Sequence, residues 1–220
     1  MKQEDRGQEA TLELEPAAAA VMAGDRIDSL REFATDLAAR GEELGLIGPL
    51  ELPRLWTRHL LNSAVLAPLL REGGRVADIG TGGGMPGLVL GILRPDVEFF
   101  LVEPMERRCL WLNEQIERLG LTNTHVKRGR AEEFHGAFEA DQITARAVTA
   151  LKKLVPLTVP LLREGGELLF LKGTSIDAEI EAAQKTLKKH KVRDIEVIEL
   201  GADLLSESTR VFRAKVGIHG

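Results

Sequence analysis

Residues 76–87 read Val-Ala-Asp-Ile-Gly-Thr-Gly-Gly-Gly-Met-Pro-Gly, and this stretch decides the fold. Val76, Ala77 and Ile79 are apolar enough for a buried strand, and the strand ends on a run of glycines. Pro86 then stands where a helix begins, since the first helical position needs no N–H donor. Strand, glycine loop and helix together bring backbone amides close to a small ligand. Four of the five residues from Gly80 to Gly84 are glycine, which costs unfolded-chain entropy unless something needs the space.

Two ligands compete for such a loop. Gly82-x-Gly84-x-x-Gly87 satisfies the dinucleotide fingerprint, in which a pyrophosphate rests on a helix N-terminus. The spacing Asp78-x-Gly80-x-Gly82-x-Gly84 instead resembles motif I of the class I methyltransferases, which bind S-adenosylmethionine. Asp78, at the strand end, would repel a diphosphate but meet a cationic amino-acid ligand. Gly80 and Gly82 also come directly after the strand, before the dinucleotide pattern begins.

The 220 residues hold one α/β domain and a modest extension. With 44% hydrophobic and 29% charged residues the chain buries a core and is expected to be soluble and cytoplasmic. No apolar run reaches the roughly 20 residues that cross a bilayer, and Met1–Gln8 is too charged for a signal peptide. A single cysteine, Cys109, excludes an internal disulfide, and the five histidines show no metal-ligand spacing, so no metal is expected. The formal charge of −5 argues against a generic polyanion binder. That charge is uneven: residues 1–16 carry two basic against five acidic side chains. Arg107-Arg108, Lys127-Arg128-x-Arg130, Lys152-Lys153 and Lys185…Arg193 permit a local basic surface for nucleic acid.

Residues 1–24 read as a mobile acidic and alanine-rich tail. Residues 25–72 read as an N-terminal helical extension. Its first helix spans 25–40, with Ile27, Leu30, Phe33, Ala34, Leu37 and Ala38 at helical spacing, closed by Gly41 or Gly45. Its second spans about 52–70. The methyltransferase-like domain then occupies 73–220. Strands are expected at 75–80, 98–103, 124–128, 141–146, 167–172, 194–200 and 210–216, and helices at 86–93, 105–119, 150–162 and 177–190. Such alternation predicts a Rossmann-like, doubly wound α/β sheet, mostly parallel. The last two strands are joined only by a loop, so the seventh is expected to run antiparallel, the ending of the class I methyltransferase fold. Gly120 caps the helix that ends at Leu119.

Glu103 closes the second strand 23 residues after Gly80, the distance at which an acid reaches ribose hydroxyls in such folds. After the third strand, Ala131 and Glu132 offer a backbone N–H and a carboxylate to an adenine edge. Arg146 ends the fourth strand and Lys172 the fifth, both on the carboxyl edge where open α/β sheets bind ligands.

The chain resembles the RsmG (GidB) family, bacterial methyltransferases acting on guanine N7 of small-subunit ribosomal RNA. The resemblance rests on Arg58-His59-Leu60-Leu61-Asn62-Ser63, the 78–87 motif, Glu103 with Arg107-Arg108, Arg146-Ala147 and Leu171-Lys172-Gly173, in family order across residues 25–216. It implies cofactor contacts from Asp78, Gly80, Gly82, Gly84, Met85, Glu103, Ala131, Glu132 and Arg146. It implies RNA contacts from Arg58, His59, Arg107, Arg108 and Lys172, with Arg146 and Lys172 aligning the substrate. The implied partner is 16S ribosomal RNA or the 30S subunit, met by a monomer away from any membrane. Asn62 departs from the family's usual Asp, which removes a charge beside His59.

Guanine N7 is already a lone-pair nucleophile, so no general base is required. The sequence agrees, having no Asn-Pro-Pro-Tyr signature of amino-group methylation and no Pro-Cys nucleophile. Cys109 is read as packing. Alignment and desolvation are left as the means of catalysis. A small-molecule methyltransferase, a nicotinamide-dependent oxidoreductase and a catalytically silent RNA-binding module are the competing readings.

Overall fold

The computed structural model describes residues 11–217. The expected seven-stranded sheet is present: β1 (Arg75–Ile79), β2 (Glu98–Glu103), β3 (Thr124–Arg128), β4 (Ala140–Arg146), β5 (Leu162–Lys172), β6 (Val192–Leu200) and β7 (Thr209–Val216). Their spatial order is β3-β2-β1-β4-β5-β7-β6. The first five strands pair in parallel, and β7 runs antiparallel between β5 and β6. The order reverses beside β1, whose two neighbours leave in opposite directions, so a crevice opens at the carboxyl ends of β1 and β4. Central parallel strands are covered on both faces, which is why β1 is buried from Val76 to Ile79.

Helices α4 (Gly87–Leu93) and α5 (Glu106–Arg118) follow β1 and β2, α6 (Leu151–Thr158) follows β4, and α7 (Ile176–Lys189) follows β5. α5 buries Cys109, Trp111, Leu112 and Gln115 along one stripe and ends at Gly120, φ 62°, where Leu121 N–H donates to Ile116 O. One core holds α4 and α5 with the N-terminal helices, and the other holds α6 and α7.

The N-terminal region departs from expectation twice. Helix α1 (Ala17–Ala23) buries Ala19 and Ala23, so the tail assigned to 1–24 does not extend through it; residues 1–10 lie outside the described residues. Small alanines let it lie close against the core, an interaction that amphipathic periodicity does not reveal. Helix α2 (Ile27–Arg40) forms as expected, and Gly41 continues its turn before the chain reverses at Gly45, φ 63°.

The single helix expected over 52–70 is instead broken. A 3₁₀ turn at Leu52–Arg54 leads into a π-helical segment, Leu55–Leu61, then one α turn, α3 (Asn62–Ala64), and a second 3₁₀ turn at Ala67–Leu69. Buried Leu55 and Leu60, and buried Trp56 and Leu61, are each five apart, the repeat of the wider π turn. Pro53 and Pro68 punctuate the two ends. The wider turn keeps four apolar side chains in the core while Arg58, His59 and Asn62 line the crevice.

Candidate active site

The glycine loop between β1 and α4 is built by two buried carboxylates. Asp78, fully buried, accepts the Gly87 N–H at 2.9 Å and the Thr144 hydroxyl at 2.9 Å. It thereby ties β1 to the start of α4 and to β4. Burial holds its carboxyl above the usual range, opposed by those hydrogen bonds. The sequence reading gave Asp78 to the cofactor; in the structure both its oxygens serve the loop, because a carboxylate sealed this deep must satisfy itself locally.

Glu103, 2% exposed, accepts the Gly82 N–H at 3.0 Å and the Met105 N–H at 2.9 Å. Gly80 and Gly82 both take the left-handed conformation, φ 68° and 58°. Above Gly82 an added Cβ would meet nothing closer than 3.9 Å, whereas at Gly80 it would lie 2.9 Å from Val148. Open space over a left-handed glycine, beside a carboxylate with lone pairs to spare, fits a ribose with its adjacent hydroxyls. The site therefore fits the ribose of S-adenosylmethionine, although an acid at the end of the second strand is shared with dinucleotide sites.

Other assigned residues divide. Gly84, φ 105°, packs under Leu88, and Met85 is buried, its methyl against Gly83, so both shape the loop from beneath. Ala131 is buried and Glu132 exposed on the 3₁₀ turn Ala131–Phe134. Gly129 N–H donates to Glu103 O at 3.1 Å, which brings that turn alongside Glu103. Arg108 leans over the loop: its guanidinium lies 3.8 Å from Glu103 and donates to Gly45 O at 3.3 Å. It stands beside the cofactor loop rather than on an outer RNA-facing surface. Arg107 is exposed beside Gly45. Cys109 is buried in α5, where burial and nearby Glu103 push its thiol up, a packing role.

Next to the loop, on the β4–β5–β7 side, lies a cleft of about 1040 Å³. Arg58, Arg146, Lys172 and Arg210 line it together with Glu51, Glu179, Glu199 and Glu207. Acids and bases thus alternate where the sequence suggested a basic rim. The Lys185…Arg193 group sits at the far end of α7, away from the carboxyl edge. Lys172 is not a free cation: its Nζ donates to Thr149 O at 2.9 Å and pairs with Glu179 at 2.8 Å, with 9% of the side chain exposed. Glu179, seven residues on in α7, was not foreseen as its partner.

Glu51, His59 and Arg146 meet in the cleft wall. His59 Nε2 lies 2.6 Å from Glu51 Oε2, and Arg146 Nη2 lies 3.1 Å from His59 Nδ1. Arg146 Nη1 also donates to Arg58 O at 3.2 Å. Burial lowers the His59 imidazole below its usual range, helped by Arg146 and opposed by Glu51. Burial lowers Arg146 to about 10, with Asp78 opposing, so it stays a cation at neutral pH. Burial works against Glu51, but hydrogen bonds from Arg54 and His59 hold its carboxyl below the usual range. Asn62 turns away, donating to Thr209 Oγ1 at 2.6 Å. The charge beside His59 therefore comes from Glu51, which sequence reasoning missed. Arg210, paired with Glu199 and opposite Lys172 in the β5–β7 register, was also missed. Among the described residues no cluster of His, Cys, Asp and Glu is arranged to hold a metal, and no helix is long and apolar enough to cross a membrane.

Residues 26–207 match the model of the GidB family, described as rRNA small subunit methyltransferase G. The chain is 60% identical to the ribosomal RNA small subunit methyltransferase G of Leifsonia xyli subsp. xyli, over 94% of this chain and 98% of that protein. Its counterpart in Thermobifida fusca is 46% identical, covering 90% and 84%. Among solved structures, M. jannaschii TYW2 in complex with AdoMet matches with a TM-score of 0.59 at 18% identity, covering 73% of this chain and 76% of that one. A SAM-dependent O-methyltransferase from Thermotoga maritima gives 0.57 at 18% identity, covering 73% and 66%. These structural likenesses establish the class I methyltransferase fold.

Proposed function

The chain belongs to the GidB family of rRNA small subunit methyltransferases G, and from that membership we propose that it methylates N7 of a guanine in 16S ribosomal RNA, with S-adenosylmethionine as donor. Gly82 and Glu103 would hold the donor, which would supply an electrophilic methyl on a sulfonium. The N7 assignment comes from the family membership, and the state of His59 agrees with it. In its neutral form both ring nitrogens are engaged, one by Glu51 and one by Arg146, so the ring offers a substrate amine no free lone pair as a base. N7 needs no such base, whereas an exocyclic amine must lose a proton. The chain's own residues orient and exclude water: Glu103 holds the ribose side, and Arg146 stands between the glycine loop and the cleft. The cleft mixes charged and apolar lining: Arg58 and Arg210 stand among four glutamates, while Val148 and Leu171 offer apolar contact to a base. An rRNA substrate places the reaction in the cytoplasm, on the 30S subunit or its naked RNA.

Methyl transfer to 30S subunits and to naked 16S rRNA, followed by nucleoside mass spectrometry, tests this directly. The expected product is 7-methylguanosine. A methyl on an exocyclic amine, or transfer to neither substrate, would overturn the proposal.

The cations of the cleft should separate in RNA binding. Arg58, 55% exposed, is placed to meet phosphate, and Arg58→Ala should reduce the slope of log affinity against log salt by about 1. Lys172→Ala should leave that slope near the parent value. It should instead lower stability by about 1–3 kcal/mol, because Glu179 loses its cation and Thr149 O its donor. Filter binding across a salt series and thermal melts of the two variants check both halves.

A further inference from the structure

Arg146 is half-buried, and its guanidinium is held between two acceptors, Arg58 O and His59 Nδ1. A guanidinium only donates, so the His59 nitrogen facing it must accept. That nitrogen is Nδ1, which leaves the imidazole proton on Nε2, aimed at Glu51 Oε2 at 2.6 Å. Only one tautomer of a neutral ring satisfies both neighbours. The ring is 12% exposed and Glu51 20%, so water does not readily replace either contact. Arg54 donates to the other Glu51 oxygen at 2.6 Å, fixing the carboxylate from behind.

We infer that Glu51 and His59 are positioning residues that hold the Arg146 guanidinium at the carboxyl end of β4, and that they do so only while His59 is neutral. The inference rests on the reading of Arg146 as a group that acts at the cofactor and substrate. Protonating His59 puts an Nδ1–H against the Arg146 N–H groups, two donors and two positive charges face to face. Arg146 then loses one of its two anchors, keeping only Arg58 O. The charged groups that face the ring are Glu51 from the turn before Leu52, Arg58 from the π segment and Arg146 from β4. Asp78 on β1 acts on Arg146 from behind. Glu51 alone among those facing the ring favours the imidazolium, and both arginines oppose it. The acid-base step of His59 therefore switches geometry and transfers no proton to or from the substrate.

The experiment combines histidine nitrogen NMR of the ligand-free protein with methyl-transfer rates on 30S subunits from about pH 5 to about pH 9, spanning the range in which histidines titrate. His59→Asn assigns the resonance among the five histidines and places an amide oxygen near Nδ1 as a non-titrating acceptor. The wild type should show the Nε2–H tautomer. It should also show an acid limb in the rate whose midpoint coincides with the His59 titration. In H59N that limb should vanish, and the rate above it should exceed that of His59→Ala by about tenfold, since the acceptor is restored. Glu51→Gln should move both the NMR midpoint and the acid limb to lower pH, because the group favouring the imidazolium is gone. An Nδ1–H tautomer, an acid limb that survives in H59N, or H59N no faster than H59A would overturn the inference. A wild type without transfer to any rRNA defeats the methyltransferase reading instead, and the NMR tautomer and E51Q midpoint still decide the relay.

Discussion

Gly82→Asp should abolish S-adenosylmethionine binding, an expected loss of more than about 100-fold, while the protein stays folded. At φ 58° the new side chain enters backbone space that costs roughly 1–2 kcal/mol for most residues, and Asp tolerates it better than most. No protein atom lies within 3.9 Å of the added Cβ, so the fold meets no clash. The side chain fills the ligand's place, and its charge sits beside Glu103, which accepts the Gly82 N–H. Gly87→Ala, five residues on, is the opposite case. Its added Cβ would come 2.7 Å from Asp78 Oδ2, pressing on the contact that fastens α4 to β1. That variant should lose about 1–3 kcal/mol of stability through overpacking. Calorimetric titration and thermal melts of both variants give the comparison. Near-parent cofactor affinity in G82D would reject the pocket, and an unchanged melting temperature in G87A would reject the packing account.

Arg146→Ala should lower methyl transfer by about 100- to 1000-fold, the usual loss when a preorganised charge is removed beside the reacting groups. Arg146→Lys should recover little of it. The guanidinium spans two acceptors, Arg58 O and His59 Nδ1, with two separate nitrogens, and a lysine ammonium is a single point on a flexible stem. Burial lowers Arg146 only to about 10, so the parent protein keeps this cation throughout the working range. Single-turnover rates with saturating 30S subunits and donor measure the effect. A lysine variant with the parent rate would show that charge alone, not the two-point hold, is what matters at this position.

The sequence by itself determined whatever depends on neighbours along the chain. Runs such as Val76–Ile79 and Phe99–Val102, alternating with helical segments, read as buried parallel strands, and glycines directly after the first mark the ligand loop. Glu103 was legible because a strand's end is fixed by the strand, and a strand of known partner puts its last residue on a known edge. Cys109 and Gly120 fell where local helix rules put them.

Tertiary structure decided everything that depends on pairing across the fold. Asp78 was expected to face the ligand, yet Gly87 N–H and Thr144 claim its oxygens. Lys172 was expected to face RNA, yet Glu179 and Thr149 hold it. The Glu51–His59–Arg146 chain joins residues 95 positions apart through a π segment whose wide turn no helical periodicity predicts. A charged side chain's partner is chosen by distance in space, and desolvation makes that choice binding once water is gone. Residue type and strand order therefore fixed which groups reach the carboxyl edge, and packing alone fixed which of them remain free to act there.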